Sequence, residues 1–290
     1  MFGTIAAALM ASHSGGVADQ AQNEIVITGQ RPVTEESARR FVRSTSKTVE
    51  GQLARYHGPI CPTAIGIPPE HGARIVARMR RVAETAGLPV AAEGCDPNVT
   101  VAFAEDGSQF VRAARRAESR FFEGVSSAET RRLLEPGQPA RAWRVTEVRR
   151  ADGANEGPVA STMREGATGM QGSQLARTLN VSSTSIINLP TVQATLESFV
   201  VIEQGASEGR TLTQIADYAL MRAVGGAEPA PEAAASGETI LSLYTPGVTS
   251  PRSITWLDLA YLRALYATRG NSASHQHMSR IAAMMAEEAQ

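Results

Sequence analysis

Few side chains in this 290-residue chain have the types and spacing that do chemistry. There are five histidines, His13, His57, His71, His275 and His277. His275 and His277 stand at i and i+2, which aligns both rings on a strand but not on a helix. Their surroundings read as a helix start, so no metal pair is expected there. His57 and His71 flank Cys61 and would meet only through tertiary folding. No H-E-x-x-H occurs, the pattern that puts two zinc-binding rings on one helix face. There is no G-x-G-x-x-G and no Walker A loop, so nucleotide binding has no support. The Gly-Ser pairs Gly107-Ser108 and Gly172-Ser173 lack the strand-turn-helix setting of a nucleophilic elbow, and no serine nucleophile is expected. What remains is acidic: Glu203 at the end of "SFVVIE", Asp217 beside Tyr218 in "TLTQIADYALMRAV", and Asp258 in "TWLDLAYL". If Glu203, Asp217, Tyr218 and Asp258 converge, they form a polar cluster able to hold a cation or relay a proton. The competing expectation is a set of separate carboxylates at element ends, each paired with an arginine such as Arg210 or Arg222.

Composition narrows the classes. Apolar residues make up 42% of the chain, enough for a packed core, and the formal net charge of −1 argues against a nucleic-acid partner. Lys47 is the only lysine. Arginines at 78, 80 and 81 and at 112, 115, 116 and 120 recur at helical spacing, as on solvated helix faces or a patch for anionic lipid or polysaccharide. No apolar run reaches the roughly 18 residues of a transmembrane helix. Residues 1–21 have a short apolar core and end in Ala18-Asp19-Gln20-Ala21, the layout of a cleavable signal peptide, though no basic residue precedes the core. The expected location is therefore periplasmic or secreted. In an oxidising compartment Cys61 and Cys95 would pair; in a reducing one they would remain buried thiols. Neither belongs to a CxxC pair, which disfavours a metal site.

The elements that must position these residues follow from periodicity. Residues 22–33 read as an extended tail, and its "EIVITGQRP" resembles the N-terminal stretch of TonB-dependent receptors of alphaproteobacteria. Residues 34–150 form an N-terminal α/β half. A helix is expected over Thr34–Ala54, then a β-α-β unit: a strand around Ile60–Ile67, a helix from Pro68 to Gly87, and a strand over Asn98–Phe103. Helices at Ser108–Phe122 and Ala128–Leu134 precede a strand at Arg141–Arg149. Residues 151–180 are rich in Gly, Ser and Ala without a period and read as a loop. The C-terminal half, 181–290, offers strands at Thr184–Leu189 and Ser198–Glu203, then helices at Leu212–Val224, Ser253–Gly270 and Ser274–Glu287. The class is α+β, a small mixed sheet with flanking helices.

Residues from 198 to about 285 carry a further signal. Val200-Val201-Ile202-Glu203 ends a strand, Ala216-Asp217-Tyr218-Ala219-Leu220-Met221 lies in a helix, and Thr239-Ile240-Leu241-Ser242-Leu243-Tyr244 follows. Trp256, Asp258, Tyr261, Leu262, Leu265 and Tyr266 then spell W-x-D-x-x-Y-L-x-x-L-Y. This order resembles secreted proteobacterial proteins of unknown function related to the zincin metallopeptidases. In an active zincin the first helix would carry H-E-x-x-H. With Asp217 in the glutamate's place, Ala216 and Leu220 would occupy the ligand places, and neither can bind zinc. The resemblance thus implies a degenerate, zincin-like pseudoenzyme, with no metal and no cofactor, binding an envelope protein or polysaccharide. The alternative is a metal-dependent hydrolase with non-standard ligands, such as Glu203, Asp217 and His275 around one point.

Overall fold

The computed structural model describes residues 34–151, 188–231, 233 and 237–289. Four strands form one mixed sheet: β1 (Pro62–Ile65), β2 (Val99–Ala104), β3 (Ala140–Arg150) and β4 (Thr191–Glu203). Their spatial order is β1-β2-β4-β3. β1, β2 and β4 run parallel, and β3 closes the sheet as an antiparallel edge. The β3–β4 ladder runs from Ala140 opposite Ile202 to Arg150 opposite Thr191, with a bulge between Val145 and Thr146.

The helices are α1 (Glu35–Thr45), α2 (Pro69–Thr85), α3 (Gly107–Ala117), α4 (Ser127–Leu133), a single turn α5 (Gln204–Ser207), α6 (Leu212–Ala223), α7 (Trp256–Ala267) and α8 (Ser274–Glu288). The expected β-α-β unit is present as β1-α2-β2. Pro69 starts α2 where a missing N–H costs nothing, and Cys61 and Cys95 are joined by a disulfide beside it. Closing a loop of that size is worth about 3–4 kcal/mol in the chain-entropy model.

Strand alternation divides the core in two. On one face Val99, Val101, Phe103, Val200 and Ile202 pack with Ile75 and Met79 of α2, Leu220 and Met221 of α6, and the apolar faces of α1, α7 and α8. On the other face Ala102 and Val201 pack with Val111 of α3, Leu133 of α4, Phe122 and Trp143. There Trp143 is stacked between Phe122 and Phe199, with centroids 5.1 and 4.9 Å away. The main core therefore draws residues from both halves of the chain.

Three expectations need correction. The first helix stops at Thr45 rather than Ala54, because Ser46 is extended and the chain then pairs at Ser46 with Ala227 and at Arg55 with Ala194. The helix expected over Ser108–Phe122 breaks at Glu118 and resumes as a 3-10 turn, Ser119–Phe122, which delivers Phe122 to Trp143. "ILSLY" at 240–244, an apolar segment to which the sequence assigned no element, is a 3-10 helix. The central strand is longer than expected, beginning at Thr191. Residues 1–33, the loop at 152–180 and most of the strand expected at Thr184–Leu189 lie outside the described residues.

Candidate functional site

The four polar residues singled out in the sequence do not form one cluster. Glu203 shares the strand face of Val201, whereas α6 packs on the face of Val200 and Ile202. Glu203 and Asp217 thus lie on opposite sides of the sheet, as the period of two along a strand requires. Glu203 accepts from Arg141 Nη1 at 2.8 Å and from the Gly107 amide at 3.3 Å. Arg141 is buried and donates three further N–H groups to the carbonyls of Leu133, Glu135 and Gln138, tying down the end of α4. Gly107 is needed here, since a Cβ would lie 2.2 Å from Arg141 Nη1.

Asp217 sits on α6 because Thr211 and Gln214 start that helix with a reciprocal capping box. It is fully buried. Both its oxygens accept from Arg78 of α2, Nε to Oδ1 and Nη2 to Oδ2, each at 2.8 Å. The Ile254 amide adds a third bond to Oδ2 at 2.6 Å. Burial pushes the carboxyl above its ordinary range, while Arg78 and the Ile254 amide pull it back toward the ionised form. The partner is neither Arg210 nor Arg222. Arg78, read from the sequence as part of a solvated face, is 5% exposed.

Asp258 is also fully buried, and no cation pairs with it among the described residues. It accepts from the Thr239 hydroxyl, the Ile240 amide at 2.9 Å, and the Thr255 amide and hydroxyl at 3.0 and 2.8 Å. It is the third residue of α7 in a Thr255–Asp258 capping box, where the helix N-terminus also favours negative charge. The bonds from Thr239 and Ile240 pin the 240–244 turn to α7, and those from Thr255 cap the helix. Tyr218 accepts from Arg222 Nη1 at 2.9 Å and meets Tyr244 edge-on at 4.9 Å.

Among the described residues no group of three His, Cys, Asp or Glu side chains is close enough to hold a metal ion. His275 is exposed and His277 buried, two residues apart on α8 as a helix demands. His277 Nε2 lies 2.7 Å from the Thr268 hydroxyl, which itself donates to the Ala264 carbonyl. The ring's Nδ1 is buried without a partner. Burial, with Arg55 and Arg280 nearby, pushes its pKa down to about 4. His57 and His71 are both exposed.

Sequence reasoning missed two features. Gly205-Ala206-Ser207-Glu208-Gly209 satisfies G-x-S-x-G directly after β4. It is not a nucleophilic elbow: Ser207 lies in the helical turn α5 and donates to the Gln204 carbonyl at 2.6 Å. Nor does it take the positive φ of a strained turn, which among described non-glycine residues only Glu50 adopts.

The second is a small cleft of about 30 Å³, partly open to solvent, at the edge strand β3. The 45–49 segment and the end of α6 border it on one face of the sheet; α4 and Gly124 border it on the other. Lys47 reaches across to Glu129, and Arg222 pairs with Glu228 at 3.1 Å. Arg144 of β3 also lines it, and the only signals in the sequence were the solitary lysine and an arginine at a strand position facing the core.

The fold and these sites define a mixed α/β protein in which Asp217 and Asp258 are committed to the core and the polar cleft at the sheet edge carries a small excess of positive charge. No family model, no curated protein and no solved structure matches the chain.

Proposed function

We propose that this is an exported cell-envelope protein in which a zincin-like helix has become a packing element, so that the domain binds a partner or serves structurally rather than catalysing. The observation that carries this reading is Asp217. The residue in the position of a peptidase's water-polarising glutamate has both oxygens occupied by a buried arginine and a backbone amide. A carboxylate so held has no lone pair aimed at solvent and no room for a water to activate. The order strand, helix, short turn, helix from β4 through α6 and 240–244 to α7 is consistent with the zincin resemblance. Export is supported by the Cys61–Cys95 disulfide, a bond that persists in oxidising compartments. Among the described residues no helix is long and apolar enough to cross a membrane.

The test is elemental analysis of mature protein recovered from the periplasm without chelators, together with mass spectrometry of its thiols. The expected result is a folded protein with far less than one metal per chain and no free thiol. Near one zinc or manganese per chain would overturn the packing role and point to a hydrolase with unusual ligands. Two free thiols would remove the argument for export.

A further inference from the structure

The cleft at the edge of β3 carries charge that the protein's own contacts leave incompletely balanced. Its lining includes three cations, Lys47, Arg144 and Arg222, and two carboxylates, Glu129 and Glu228, leaving one positive charge in excess. Arg222 is 7% exposed, and its Nε is buried with no hydrogen-bond partner. Its two terminal nitrogens are engaged by Tyr218 and Glu228. Arg144 is half-buried and makes no ion pair among the described residues. One of its nitrogens donates to the Ala54 carbonyl at 2.8 Å. Its guanidinium lies against Gly226, where a Cβ would come within 2.2 Å of Nη1. Gly226 also has a positive φ of 57°, so the backbone is shaped to admit the arginine. Arginine forks held this way match a planar carboxylate.

We propose that this cleft binds a single carboxylate, held by Arg144 and Arg222 with Lys47 at its mouth. A monoanion cancels the one positive charge in excess. A doubly charged phosphate would instead leave net negative charge beside Glu129 and Glu228, which disfavours it. A peptide's C-terminus and a sugar acid both present such a carboxylate. This proposal is independent of the packing role assigned to α6, because a hydrolase could carry the same cleft.

The single lysine provides the reporter. Reductive methylation with ¹³C-formaldehyde labels Lys47 and the chain's α-amino group, the latter serving as an internal reference. N-acetyl-alanyl-alanine, its C-terminal amide, glucuronate and inorganic phosphate are then titrated by NMR. The expected result is a saturable shift of the Lys47 methyls with the acetylated dipeptide and none with its amide. Arg144→Gln should weaken binding about tenfold or more, as loss of a charge-assisted contact does. Arg112→Gln on α3 should leave it unchanged. Should Arg144→Gln fail to fold, Lys47→Gln, followed by calorimetry, must weaken binding instead. Glucuronate binding as tightly as the dipeptide would also support the site and make a sugar acid its source. The proposal is overturned if no carboxylate gives a saturable shift, if phosphate binds more tightly than the carboxylates, or if the folded Arg144→Gln protein binds like wild type. None of these results bears on metal content, so the packing role stands or falls separately.

Discussion

Arg78 and Arg144 are both drawn into the protein, and their surroundings differ in kind. Arg78 crosses from α2 to α6 and finds Asp217 on two nitrogens at 2.8 Å. Arg144 reaches from β3 to the wall of a cleft, packs on Gly226 and gives one hydrogen bond, to the Ala54 carbonyl. The first region has a fully buried carboxylate held by three hydrogen bonds; the second has an excess cation beside a small cleft. Desolvating an ion is costly unless a partner and further hydrogen bonds compensate it. A satisfied pair inside a core therefore contributes to one fixed arrangement. A half-buried cation without a partner is tolerable only where solvent or a ligand completes it. The functional expectation moves accordingly, from the acidic residues of α6 and α7 to the basic ones at the sheet edge.

The largest test of this contrast is Asp217→Ala. It strands Arg78 without its partner and should cost about 3–5 kcal/mol in urea unfolding. Arg78→Met together with Asp217→Leu should recover most of that loss, since a packed apolar pair of similar volume is often neutral. A cost below about 1 kcal/mol for the single change would mean that the pair is not locked, and the contrast would collapse.

The disulfide comes next. β1 and β2 frame the helix that carries Arg78, and Cys61→Ser with Cys95→Ser should lose about 3–4 kcal/mol. Carboxylate binding at the β3 cleft should persist in that variant while it remains folded, which separates the two regions.

His277, on α8, sets an acid limit on folding as a whole. Its folded pKa of about 4 lies below the ordinary 6.5. The unfolded chain therefore binds the extra proton first, and stability is full above pH 6.5 and falls as pH drops toward 4. The drop at that site is roughly 3 kcal/mol. His277→Gln should flatten this slope in unfolding curves taken between those pH values. An unchanged slope would show that other groups set it.

The smallest effect is expected at Arg144. Arg144→Gln removes no ion pair and should change stability by about 1 kcal/mol or less, although it abolishes most carboxylate binding. A loss as large as that of Asp217→Ala would make Arg144 a core residue like Arg78 and erase the difference between the regions.

Much of the local architecture was readable from the residues. Pro68-Pro69 and Gly87 bracket α2, Thr34 caps α1 through the Ser37 amide, and Gly225-Gly226 follow α6. The alternation in "RAWRVTEVR" and the apolar run "SFVVIE" become β3 and β4. These signals act within a few residues, through fixed φ angles, capping bonds and side-chain periodicity. The pairing of Cys61 with Cys95 was also legible, because there are only two cysteines to pair.

The site was not. That Asp217 belongs to Arg78, 139 residues earlier, depends on α2 and α6 packing against the same sheet face. That Glu203 cannot join Asp217 depends on which face of β4 each helix covers. The cleft needs Lys47, Arg144 and Arg222 to be gathered from a loop, a strand edge and a helix end. The sequence by itself determined the elements and their caps, because those energies are local. Which charges would be neutralised and which left open was decided only by the tertiary structure, because a buried charge finds its partner through space rather than along the chain.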